Sequence, residues 1–181
     1  MMLKIITLPT PSLRERSKEI DRDFLLSPQT QKLIDEMIPK MYESDGIGLA
    51  APQIAHNIRI CIIGKDSDKK LKEDLVLVNP TWEKSSKKKN TDLEGCLSVP
   101  HTFGKVIRYT HIDVQALDRH GNKISFSAKK FLARVIQHEV DHLDGILFID
   151  KATEIYKEEI NNKPNKTIQQ TNLKDEHSLK I

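Results

Sequence analysis

Aromatic residues make up only 5% of this 181-residue chain, so aliphatic side chains must fill whatever core it builds. Cysteine is scarcer still. Cys61 and Cys96 are the only two, too few for a disulfide-stapled secreted scaffold. No apolar run approaches the ~20 residues that cross a bilayer, so no membrane association is expected. Neither sign of charge dominates. The 29 basic and 26 acidic residues leave +3, without the basic excess of a dedicated nucleic-acid binder. The start, Met1 to Pro9, has neither an apolar h-region nor a small-residue cleavage site, and this points to a reducing cytoplasm. There is no internal repeat, and the length is that of about one domain of ~100–200 residues.

What is present reads as an α+β chain. Ser27-Pro28 resemble an N-cap and first helical residue, and apolar residues at Leu33, Ile34, Met37, Ile38, Met41 and Tyr42 give helical spacing to about Ser44. Pro39 lies inside that pattern and is expected to kink it. Arg59–Ile63 and Leu75–Pro80 read as buried strands, and the lysine-rich stretch from Lys84 to Asn90 as a solvated hairpin end. Ile112–Leu117 alternates with period two, turns at Asp118–Asn122 and returns through Ile124–Ser127, a hairpin. A helix is expected over about 128–143. From Asn161 on, few large aliphatics remain, so residues 161–181 are expected to be a polar, frayed tail after a domain of residues 1–160.

The late helix carries the sharpest signal. On a helical wheel, Val135, Leu132, Leu143 and Ile136 fall within about 140° of Phe131, and Lys130, Arg134, Gln137 and Asp141 fall opposite. Glu139 lands inside the apolar stripe, where a carboxylate is costly unless it has a partner or a purpose. His138 and His142 sit one turn apart at the edge of that stripe. Together these residues form His138-Glu139-Val140-Asp141-His142, the H-E-x-x-H pattern of zinc-type hydrolases. The plainer reading is a helix whose histidines pack and whose glutamate pairs with an arginine such as Arg108. A catalytic metal needs a third protein ligand and an open position. Phe148 stands where a metzincin would place its last histidine. Glu158 and Glu159 are available downstream, and Cys96 lies in Leu93-Glu94-Gly95-Cys96-Leu97-Ser98-Val99-Pro100. Cys61, inside an aliphatic strand, fits a packing role. A structural metal would need a fourth ligand, for which His101 or His111 is available.

Gly46-Ile47-Gly48-Leu49-Ala50-Ala51-Pro52-Gln53 contains G-x-G-x-x-A, with Asp66 about twenty positions on, as in dinucleotide sites. The preceding segment has helical periodicity, and Pro52 would interrupt the following helix, so the fingerprint lacks its context. Small residues here suit close approach of an extended ligand backbone, with Gln53 presenting an amide, and equally suit a simple tight turn.

Taken together, Gly46–Gln53, Glu94–Ser98 and Gln137–His142 resemble the three motifs of the peptide deformylase family, in the same order and with similar spacing. The resemblance covers about residues 3–160. It implies an α+β fold of antiparallel or mixed sheets packed around a central metal-binding helix, with an N-terminal helix and a C-terminal helix or tail. It implies that Cys96, His138 and His142 hold a divalent metal, with Glu139 as general base. The backbone N–H of Leu97 and the amide of Gln53 would receive the oxyanion. Ile47, Gly48 and Val135 would contact the substrate, with Glu94 and Arg108 as structural support. Many members use Fe2+, and Zn2+ or Ni2+ can occupy the same position. The implied substrate is the formylated N-terminus of a nascent peptide. Some relatives dock on the ribosome through a basic C-terminal helix, but residues 151–181 hold six lysines and five acids and support that role poorly.

Overall fold

The computed structural model describes residues 3–158. Its first long element is prepared by a short helix α1 (Arg22–Leu26), after which Ser27 caps α2 (Pro28–Glu43) by accepting from the backbone N–H of Thr30. The apolar spacing buries Leu33, Ile34, Met37 and Met41 on one side. The helix runs on through Pro39, which lies on the exposed side.

The glycine segment that follows is a strand, β1 (Gly48–Ala50), and then a 3-10 turn (Ala51–Ile54). β1 opens a five-stranded antiparallel sheet of order β1-β2-β3-β6-β7, with β2 (Ile60–Ile63), β3 (Leu75–Lys84), β6 (His111–Leu117) and β7 (Lys123–Lys129). The β6–β7 hairpin pairs Ile112 with Ala128 and Leu117 with Lys123, as the alternation predicts. β3 continues past Pro80 because its register with β6 shifts between Val78 and Thr81, and that irregularity accommodates the missing donor.

A second sheet, β4-β5-β8, is formed by β4 (Lys89–Cys96), β5 (Val99–Tyr109) and β8 (Ala152–Lys157). This corrects one expectation. The exposed lysine segment after Lys84 is no hairpin end, because β3 and β4 belong to different sheets and the segment crosses between them.

The late helix, α3 (Lys130–Leu143), starts two residues after the expected 128, since Ala128 and Lys129 complete the β6–β7 ladder. It is buried from Leu132 to Leu143 on every side, between the large sheet and the small one. Arg134, Gln137 and Asp141, expected on its outer face, are therefore interior. One core cluster joins α3 to the large sheet through Ala50, Cys61, Leu77, Val114, Val135 and Ile136. A second packs α2 on the sheet's other face, against Leu49, Ile60, Ile62 and Val78. After a one-turn helix, α4 (Phe148–Lys151), the described chain ends on β8. The tail expected at 161–181 lies outside the described residues.

Candidate metal centre

Three elements converge on one buried point. α3 supplies His138 and His142 on successive turns, which puts both rings on one face with centroids 4.9 Å apart. β4 ends at Cys96, whose register with β5 shifts between Gly95 and Cys96, so the thiol leaves the ladder and turns inward. Their ligand atoms lie within 4.8 Å of one another, and Sγ of Cys96 is 3.2 Å from Nε2 of His142. The backbone N–H of Ser98 reaches Sγ at 3.4 Å. Burial and the nearby Glu139 push the Cys96 thiol up to about 12. Burial, with His138 and Arg108 adding to it, pushes the His142 imidazole well below its ordinary value, so it stays neutral and able to ligate.

Buried polar atoms without partners are rare and need a reason. Among the described residues eight side-chain atoms qualify, and four of them sit here: Nε2 of His138, Nδ1 of His142 and both carboxylate oxygens of Glu139. Glu139 does not pair with Arg108. Burial and the charge of Glu94 push its carboxyl well above the ordinary range. It fits only because β1 carries glycine at the point of contact. A Cβ on Gly48 would stand 2.3 Å from Oε1 of Glu139.

Gln53 is also buried. Its Oε1 accepts from the backbone N–H of Ala50 at 2.8 Å, which leaves Nε2 directed at Sγ of Cys96, 3.6 Å away. Leu97, half-buried, follows Cys96 in the turn between β4 and β5. Ile47 and Val135 are buried in the cluster between α3 and the large sheet, as is Cys61, which packs as expected. Phe148, in the place of a metzincin histidine, stacks on the His138 ring at 6.2 Å. His101 is exposed beside Glu158, at 3.3 Å, and His111 contacts Thr110, so neither joins the cluster.

Behind the rings lies an ionic network that the sequence indicated only in part. Arg108 grips Glu94 with two bonds, Nε–Oε1 at 3.0 Å and Nη2–Oε2 at 2.9 Å, and its Nη1 donates to Asp141. Arg134 donates to Glu94 at 2.6 Å, and Lys151 to Asp141 at 2.7 Å. Nδ1 of His138 lies 3.0 Å from Oε2 of Glu94. Burial alone would raise the Glu94 carboxyl, but His138 and Arg108 outweigh it and hold the group well below the carboxylate range. Glu94 is therefore ionised and accepts only, so Nδ1 of His138 donates to it and Nε2 is the nitrogen left without a protein partner. The spacing of Arg134, one turn before His138, was the signal available for its part in this network.

The donor chemistry fits a cation: a thiol and two imidazoles whose ligand atoms converge, and no fourth protein ligand among the described residues. The polypeptide deformylase family model matches residues 2–158. The chain belongs to the polypeptide deformylase family. It is 45% identical over 150 residues to peptide deformylase 1 of Vibrio vulnificus (strain YJ016), covering 82% of this chain and 85% of that one. A peptide deformylase structure from Legionella pneumophila superposes with TM-score 0.76 at 38% identity, covering 84% of this chain and 87% of that one. A Met-Ala-Ser-bound class I type b peptide deformylase from Acinetobacter baumannii gives TM-score 0.77 at 32% identity, covering 83% and 98%. As a deformylase, the enzyme is a metal-dependent hydrolase that removes the N-formyl group from the formylmethionine of new proteins and releases formate.

Proposed function

We propose that Cys96, His138 and His142 are the three metal ligands and that Glu139 is the general base of formyl hydrolysis. The observation that carries this is the convergence of Cys96, His138 and His142 within 4.8 Å, with Nε2 of His138 and both oxygens of Glu139 buried and unpartnered. A divalent cation held by Cys96, His138 and His142 would supply Lewis acidity and lower the pKa of the attacking water. Glu139, with free oxygens in a dry site, takes the proton from that water as it attacks the formyl carbon. The N–H groups of Gln53 Nε2 and Leu97 donate to the oxyanion that develops. Glu139 then passes the proton to the departing nitrogen. The C–N bond breaks, and formate and a free N-terminus result.

The orientation of Gln53 supports its part, because Ala50 holds its carbonyl oxygen and leaves only the donor end toward the site. Ile47, Gly48 and Val135 form the substrate's surroundings, with the peptide laid as a strand beside Ile47 and Gly48. The Met-Ala-Ser bound to the Acinetobacter baumannii relative supports a peptide beginning with methionine as ligand. Fe2+ is the metal assigned, on the family resemblance. The Cys-His-His set also accommodates Zn2+ or Ni2+. The two free cysteines support a reducing compartment, the cytoplasm, where formylated chains leave the ribosome. No helix among the described residues is long and apolar enough to cross a membrane.

The test is formate release from a formyl-Met peptide by anaerobically purified protein, with metal analysis. Glu139→Ala is expected to lose about 10²–10⁴-fold in kcat while keeping its metal. Retained activity would remove Glu139 from the mechanism. A metal-loaded wild type that releases no formate would sink the whole reading.

A further inference from the structure

The mechanism leaves the largest of the fully buried side chains, Arg134, without a role. It lies one turn before His138 and two before His142, so all three share a face of α3. Its Nη1 donates to Oε1 of Glu94 at 2.6 Å and to the carbonyl of Val106 at 3.0 Å. Its Nη2 donates to the backbone carbonyl and the side-chain oxygen of Asn90, at 3.0 and 3.1 Å. One guanidinium thus ties β4 and β5 to the helix that carries the histidines.

The division of the Glu94 oxygens matters most. Oε1 takes Arg134, and Oε2 faces Nδ1 of His138 at 3.0 Å. A single carboxylate therefore bridges consecutive turns of the same helix, which sets its depth and rotation relative to the His138 ring. Arg108 approaches the same carboxylate from β5 but is shared with Asp141. Lys151 also pairs with Asp141, so Arg108 and Arg134 are the two cations that hold Glu94 itself. Removing Arg134 leaves Oε1 of this buried carboxylate with one guanidinium partner in place of two, so the group must shift or be hydrated.

We infer that Arg134 is a positioning residue for the metal: through Glu94 it fixes the tautomer and ring plane of His138 toward Cys96 and His142. This rests on the reading that those three residues bind the cation. The effect is one of geometry as well as charge, because the guanidinium fork satisfies Glu94, Asn90 and Val106 together and a lysine cannot.

Co2+ binding to the full-length protein tests it, followed anaerobically by visible d–d absorption and by chelator competition. Arg134→Met is expected to bind Co2+ about 10–100-fold more weakly, with shifted bands. Arg134→Lys is expected to recover only part of that affinity. Wild-type affinity and a superimposable spectrum in Arg134→Met would overturn the inference. If Arg134→Met does not fold, Arg134→Lys decides: weaker binding supports the role, and unchanged affinity and spectrum overturn it. A second check adds Arg134→Met to Glu94→Gln. No further loss beyond Glu94→Gln alone is expected if Arg134 acts through Glu94, and additive losses refute that route. Failure of the metal reading itself looks different: the wild type would take up no Co2+, or Cys96→Ser would bind it equally well.

Discussion

Helices α2 and α3 carry similar amphipathic spacing yet meet different surroundings. α2 lays Leu33, Ile34, Met37 and Met41 on the large sheet and turns Lys32, Asp35 and Pro39 to water. α3 packs the same kind of stripe, through Val135 and Ile136, on the other face of that sheet. Its polar side is then covered by the small sheet, so Arg134, Gln137, His138, Asp141 and His142 are all buried. On α2 a polar residue needs no partner beyond water. On α3 each needs a protein partner, and those left without one mark the site. Amphipathicity says which side of a helix is apolar, and the second layer decides whether the polar side becomes chemistry.

Arg108→Met breaks this contrast where it is strongest. It leaves Glu94 and Asp141 short of a buried cation, and a loss of about 3–5 kcal/mol is expected in denaturant unfolding. A loss below about 1 kcal/mol would mean the network is hydrated and α3 is closer to a surface helix than its burial indicates. Gly48→Ala is smaller and more local. The added methyl meets the Glu139 carboxylate at 2.3 Å, so the carboxylate or β1 must move. Overpacking of this kind costs about 1–3 kcal/mol, and the effect should fall on kcat with the metal content unchanged. Equal activity would show that Glu139 has room that the packing denies. Lys32→Ala on α2 is the control. Its 3.8 Å pair with Glu36 is exposed, and a change within about 0.5 kcal/mol is expected. A large effect there would erase the distinction between the two helices.

Legibility followed how locally each feature is specified. The β6–β7 hairpin and α2 were readable because alternation and a Ser-Pro start are short-range signals. The chemistry of α3 was readable because two ligands and the carboxylate lie within five residues. β1 was not foreseen, since three residues with no alternation become a strand only when β2 is alongside. The lysine segment after β3 was misread as a hairpin end, because whether consecutive strands pair is decided by the sheet each joins.

The sequence by itself determined the α+β class, the His-Glu-His helix and, through three spaced motifs, the family and Cys96 as companion to the histidines. Burial depends on what packs on the far side, and no periodicity records that. Tertiary structure alone therefore decided that α3 would be enclosed, that Gly48 would make room for Glu139, and that Arg134 would join Arg108 on the Glu94 carboxylate behind His138. Glu94, Arg108 and Arg134 lie far apart in the chain, and only the crossing of β4, β5 and α3 brings their charges together, where low dielectric makes the pairing obligatory.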